Sequence, residues 1–396
     1  MNPKSEISKT ILSGATIHLP AKTLKTGSVV ITNGCIAEIH EGALPNPKNG
    51  AIFIDLTGKI LSAGFIDLHI HGMMGIDVMN IGPEGYGRLS AEAAKRGVTA
   101  LAPTTVACPA EQLRKIMESI HAAREAGVPG AKLLGLHLES NFINVDFKGA
   151  QPGDQVFSWE DPRAAAIRKL LEQYARDTCI VTLAPEMPGG IELIRWLVKH
   201  GIAASMGHSG AKYDQAMAGI EAGATRATHL FNAMPPLHHR NPGLPGAVLS
   251  SPKVFAEMVC DGIHVHPAVI ATTIAAKGCD RFMPISDGLE AAGMTSGDFL
   301  LGGQHVTVVN NVAKLDNGTI AGSITTMDRI VRLLVNQTGC DIHDALRMAS
   351  ATPAKGIGRQ DIGRIVPGAA ADLVVLTPDL EVETTLVDGK VVFSVE

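Results

Sequence analysis

Five short stretches carry residues able to hold a cation or move a proton: GFIDLHIHG (64–72), HLE (137–139), GHS (207–209), THL (228–230) and SDG (286–288). In the first, His69 and His71 stand two positions apart. On a strand, side chains two apart share a face, so both imidazoles aim at one point. On a helix they would diverge by about 200°. The run is apolar and β-prone and is bounded by Gly64 and Gly72, which favours a strand. Alone, such a pair is more often a strand end bonded to water or backbone. With Glu139, His208, His229 and Asp287 the set becomes four imidazoles and two carboxylates, a donor mixture suited to zinc or iron(II). Without an ion, so many titratable groups in one apolar setting would carry a heavy desolvation cost. A divalent ion with an open position lowers the pKa of water and polarises a carbonyl. A carboxylate left free, Asp287, can take the proton of that water and return it to a leaving amine. Hydrolysis of an amide-type bond is the reaction class implied.

These side chains meet only if the elements that carry them do. Buried-looking strands are expected at 64–71, 100–105, 133–139, 179–186, 203–209, 227–231, 255–262 and 282–288. Helical stretches such as GYGRLSAEAAKRG, AEQLRKIMESIHAAREAG, RAAAIRKLLEQYARD and AKYDQAMAGIEAG lie between several of them. This alternation predicts an α/β fold, a (β/α)8 TIM barrel, with its site at the C-terminal strand ends. Both chain ends read instead as short strands with turn signals, Asp388-Gly389 being an apt hairpin turn. The expected organisation is a metal-dependent barrel over 63–365 and a small β-sandwich domain formed by both ends, 1–62 and 366–396.

Composition narrows the partners. Hydrophobic residues make up 45% of the 396 and charged ones 18%, which describes a globular chain with a large core. The net charge of −5 argues against nucleic acid or an anionic membrane as partner. The opening MNPKSEISKTILSGATIHLP lacks the pattern of a secretory signal, and no run of about 18 apolar residues predicts a membrane span. Six scattered cysteines suit reduced thiols, so a cytoplasmic protein is expected.

The blocks SAGFIDLHIHG (62–72), SMGHS (205–209), THLFNAMPPLHHRNPG (228–243), CDGIHVHP (260–267), ISDGLEAAGM (285–294) and AGSITTMDR (321–329) carry a further signal. With the closing IVPGAAADLVVL and LVDGKVV, they resemble the amidohydrolase superfamily over essentially the whole chain, and within it the branch that deacetylates phosphorylated amino sugars. The resemblance implies Glu139, His208 and His229 as principal metal ligands and His69 and His71 as a second site, hence one or two ions of zinc or iron. It implies Asp287 as catalytic acid and base. Glu139 would replace the carboxylated lysine of other branches, in keeping with a fourth strand, CIVTLAPE, that has no lysine. The implied substrate is a small acetylated amino sugar phosphate. Asn232 and Ala233 would contact its phosphate end, and His264 the sugar and phosphate region. Arg240 would reach the phosphate bound by a neighbouring subunit, which makes a homodimer the implied assembly. A guanidinium suits that task because it offers a fork of donors to phosphate oxygens. The plainer reading of Arg240, His238 and His239 is a solvated loop.

Two departures from the family pattern stand out. HLESNF occupies the place of HLEGPF, so Ser140 and Asn141 replace a flexible Gly and a rigid Pro. Gln151, in KGAQP, stands where His is common; it can hydrogen-bond a sugar hydroxyl but cannot titrate, which opens the galacto epimer as a substrate. An amidohydrolase of a cyclic amide or dipeptide and a non-catalytic barrel remain alternatives. A Schiff-base aldolase is disfavoured because no lysine falls on an expected strand end.

Overall fold

Every residue of Phe65–Ile70 and Val98–Thr105 is buried, as befits parallel strands covered on both faces. In this computed structural model, which describes residues 9–47 and 50–395, these are the first two of eight barrel strands. The set is β1 Phe65–Ile70, β2 Val98–Thr105, β3 Leu136–Glu139, β4 Thr178–Leu183, β5 Ala203–Met206, β6 Arg226–Ala227, β7 Phe255–Val259 and β8 Phe282–Ile285. Each pairs in parallel with the next. The ring closes beyond β8, where the Asp287 N–H donates to the His69 carbonyl at 2.9 Å and Gly288 bridges to Ile70. One helix of eight residues or more follows each strand before the next, from Pro83–Ala94 to Met327–Thr338. Ala110–Ala126 shows why: Leu113, Ile116, Met117, Ile120 and Ala123 recur at helical spacing and are the residues it buries.

Strand β1 contains a bulge. Asp67 faces Leu101 but Ile70 faces Pro103, so β1 advances three residues while β2 advances two. The extra residue shifts the alternation. Ile66 and Leu68 join an apolar cluster with Ala100, Ala102, Ile180 and Met283, while His69 and His71 turn to the opposite end of the barrel interior.

The two chain ends build one continuous sheet of eight strands, in the order Lys390–Ser394, Val382–Val387, Leu373–Leu376, Ile60–Ala63, Lys9–His18, Thr23–Thr32, Cys35–Glu41, with Ile52–Asp55 also on Lys9–His18. It wraps a separate core that includes Leu12, Ile17, Val29, Leu61, Leu373 and Leu386. Asp388 (φ 46°) and Gly389 (φ 70°) form the expected hairpin turn. A further antiparallel sheet, Gly297–Leu301, Gln304–Val309 and Val312–Leu315, is inserted after β8 and was not expected from the sequence. Its signal was present: Gly302-Gly303 and Asn310-Asn311, all at positive φ, are two-residue hairpin turns between alternating runs. Among the described residues no helix is long and apolar enough to cross a membrane.

Candidate metal centre and active site

Several expected strands end earlier than the sequence pattern suggests, and the difference matters. β5, β6 and β8 stop at Met206, Ala227 and Ile285, two residues before His208, His229 and Asp287. All three lie in the left-handed region, at φ 47°, 33° and 48°. Such a conformation costs a non-glycine residue of order 1–3 kcal/mol and persists only where neighbours over-determine it. Here they do. The His208 carbonyl accepts from Asn144 N–H at 2.9 Å, that of His229 from Asn232 N–H at 2.9 Å, and that of Asp287 from Ser323 N–H at 2.8 Å.

The result is convergence. His208 Nε2 and His229 Nε2 each lie 2.8 Å from Glu139 Oε1 and 3.0 Å from one another. His69 Nε2 and His71 Nε2 are 3.1 Å apart, and stand 3.3 and 3.4 Å from Asp287 Oδ1. His71 Nε2 is 3.4 Å from Glu139 Oε2, so Glu139 joins the two groups. His137, on β3 with Glu139, is not part of this set: the Leu68 carbonyl and Thr182 Oγ1 satisfy its nitrogens at 2.9 and 2.7 Å.

Electrostatics follow from this crowding. Burial works against the Glu139 carboxylate, but the imidazoles of His208 and His69 outweigh it and hold the acid well below its usual range. Asp287 is likewise buried, and His69 and His71 hold it at about 2. Burial pulls His69 down to about 4. His71 resists the same burial because hydrogen bonds with Asp287 and Glu139 push it up to about 10.

The donor set fits a divalent cation. His208 Nδ1 lies 2.8 Å from the Phe147 carbonyl and His71 Nδ1 3.2 Å from that of Thr104. A carbonyl can only accept, so each Nδ1 carries a proton, and each Nε2 offers its lone pair inward once a cation displaces the proton it shares with a neighbouring carboxylate. One ligand atom each from His208, His229 and Glu139 lies within 4.8 Å of the others, and so do those of His69, His71 and Glu139. A positive charge between them relieves the repulsion. These residues can hold a metal.

A cavity of about 320 Å³ opens above them, bordered by Asn232, Ala233, His264 and Gln151. His264 is oriented by Asp261, whose Oδ2 lies 2.7 Å from its Nδ1 and also accepts from Ser323 Oγ at 3.0 Å. Asp261 was visible in CDGIHVHP but its bracing role was not. Leu301 and Thr319–Gly322, from the inserted sheet and the segment after it, complete the wall. The surroundings of two expected substrate contacts, Gln151 and Arg240, are also defined. Gln151 borders the cavity, and its amide nitrogen donates to Glu139 Oε2. Arg240 is exposed, bonded to His239 at 2.8 Å, and lies outside the cavity wall of its own chain, as do His238 and His239. Ser140 and Asn141 are buried and adopt no left-handed angle, so they replace Gly and Pro without backbone strain.

A parallel barrel with a histidine–carboxylate cluster at its C-terminal rim defines a class of metal-dependent hydrolases, and the sequence profile of the amidohydrolase family matches residues 60–392. The chain belongs to the amidohydrolase family. Within it, the chain is 38% identical over 338 residues to the N-acetylglucosamine-6-phosphate deacetylase of Vibrio furnissii, covering 84% of this chain and 83% of that one. It is 33% identical over 361 residues to the N-acetylgalactosamine-6-phosphate deacetylase of Escherichia coli O157:H7, covering 91% and 93%. A mutant of N-acetyl-D-glucosamine-6-phosphate deacetylase from Mycobacterium smegmatis, solved in complex with N-acetyl-D-glucosamine-6-phosphate, superposes with a TM-score of 0.91 at 32% identity, over 98% of this chain and all of that one.

Proposed function

We propose that this chain is a metal-dependent deacetylase that hydrolyses the N-acetyl amide of N-acetylglucosamine 6-phosphate to glucosamine 6-phosphate and acetate. The observation that carries the reading is the meeting of His208 and His229 at Glu139 Oε1, both at 2.8 Å, with Asp287 across the same rim. Glu139, His208 and His229 would hold a zinc or iron ion, and His69 and His71 would serve a second. A bound ion of this kind lowers the pKa of water and polarises the acetyl carbonyl. Asp287, an ionised carboxylate at neutral pH, takes the proton of the attacking water and passes it to the departing amine. Its contacts to His69 and His71 hold it at the rim beside the cluster. His264, braced by Asp261, donates to the sugar phosphate, and Asn232 and Ala233 seat the phosphate end.

Among the described residues that border the cavity none is Lys or Arg. A phosphate seated there calls for a guanidinium, which supports Arg240 of a second copy as its partner and a homodimer as the working form. The barrel segment 63–365 acts as the catalytic unit, with 1–62 and 366–396 as its small companion domain, in a cytoplasmic protein. The galacto epimer is the second reading, supported by the Escherichia coli relative. Elemental analysis of the purified protein, combined with acetate release from N-acetylglucosamine, N-acetylglucosamine 6-phosphate and N-acetylgalactosamine 6-phosphate, tests both. Bound zinc or iron with turnover of the gluco phosphate is the expected outcome. Acetate released faster from the sugar without phosphate, or no metal and no acetate at all, overturns it.

A further inference from the structure

Gln151 is 3% exposed, and both ends of its amide are engaged. Its Oε1 accepts the Ala107 N–H at 2.7 Å. An N–H requires an acceptor, so the amide cannot flip, and its NH2 end faces Glu139 Oε2. Asn141 ties together the two segments that set this geometry. Its Nδ2 donates to the Cys108 carbonyl at 2.9 Å, beside Ala107, and to the Gln155 carbonyl at 2.8 Å, in the loop that carries Gln151. The inserted sheet holds the same loop, through Gln304 Nε2 to the Ala150 carbonyl at 2.7 Å. The two positions at which the chain departs from its family pattern are thus parts of one support.

That support acts unequally on the two oxygens of Glu139. Oε1 is open to His208 and His229 at 2.8 Å. Oε2, 3.4 Å from His71, already receives the Gln151 N–H. An amide hydrogen on that oxygen competes with a cation held between Glu139 and the His69–His71 pair.

We propose that Gln151, braced by Asn141, is a positioning residue that commits Glu139 to the cation of His208 and His229 and weakens binding at His69 and His71, so that the two places fill stepwise. The proposal rests on the metal reading given above and adds the order of filling. Titration of metal-free full-length protein with cobalt(II), followed by visible absorption and equilibrium dialysis, yields the two stepwise constants independently of turnover. In the wild type the second ion binds at least about tenfold more weakly than the first. Gln151→Leu, of similar size but without the donor, loosens the first ion by about 10- to 100-fold and narrows the gap. Asn141→Ala narrows it less, and the double variant is no worse than Gln151→Leu alone, because both act through one contact. Thermal unfolding of the metal-free variants checks that each is folded; should Gln151→Leu fail this check, the Asn141→Ala constants decide. Equal constants in the wild type, or an unchanged gap in the folded variants, overturn the proposal and leave the metal reading standing. A wild type that takes up no ion overturns both.

Discussion

The two ends of the barrel are made from the same eight strands yet obey different rules. Toward the N-terminal ends, Ile66, Leu68, Ala100, Ala102, Ile180 and Met283 pack as an apolar cluster. Nearby lies a fully buried ion pair, Arg226 Nε to Glu257 Oε1 at 2.7 Å. Toward the C-terminal ends, imidazoles and carboxylates crowd together and His208, His229, Ala233 and Asp287 hold left-handed backbone. One end gains stability from burial; the other spends some of it on geometry. The bulge in β1 marks the crossover within a single strand. The lesson is that stability and chemistry can be altered separately here, because they sit on opposite ends of one scaffold.

Four substitutions break or sharpen this contrast. Asp287→Asn should lower turnover by about 10²–10⁴, the usual contribution of general acid–base catalysis, while melting temperature and metal content stay at wild-type values. Steady-state kinetics with elemental analysis check it, and near-normal turnover would refute the assigned role. Glu257→Gln strands a buried guanidinium and should cost about 3–5 kcal/mol in denaturant unfolding, with metal affinity unchanged in the folded fraction. Leu68→Ala should cost about 2–5 kcal/mol through a cavity in the apolar cluster. If kcat fell with it in proportion, the separation of the two ends would be wrong. The smallest effect belongs to the seam between the sheet and helix Ile342–Met348, where His18 Nδ1 and His343 Nδ1 approach to 3.3 Å. Burial, then His343, holds His18 down at about 4. Its folded value is below the ordinary 6.5, so the unfolded chain binds more protons between the two. The stability it supports is present above pH 6.5 and is lost as pH falls toward 4. His18→Gln should flatten that part of a melting-temperature profile.

Much of the site was legible because its residues fall at the ends of consecutive apolar runs, and His69 and His71 keep the two-residue spacing at the end of β1. Where the strands stop was not legible. THLF and GHS look like strand because they are apolar and small, yet the chain turns at His208 and His229 once the ligand cluster and its backbone partners fix those angles. The contact of Gln151 with Glu139 was not legible for a similar reason: an amide can serve a hydroxyl or a carboxylate, and only the Ala107 N–H decides which end points where. The inserted sheet was missed although its paired glycines and asparagines marked it. Arg240 shows the opposite limit, since an exposed side chain outside its own chain's cavity wall carries no sign of a role within that chain.

The seam where Ile60–Ala63 pairs with Leu373–Leu376 has a consequence for synthesis. At ribosomal speeds, the roughly 310 residues between them take about 15 to 60 s to emerge. Throughout that interval the first strands of the nascent chain lack the neighbours that complete their sheet, and they offer free backbone edges to other chains. A protein of this design leaves its first sheet unfinished until translation is nearly over, although the residues that line its cavity, which end at Gly322, have all been made by then.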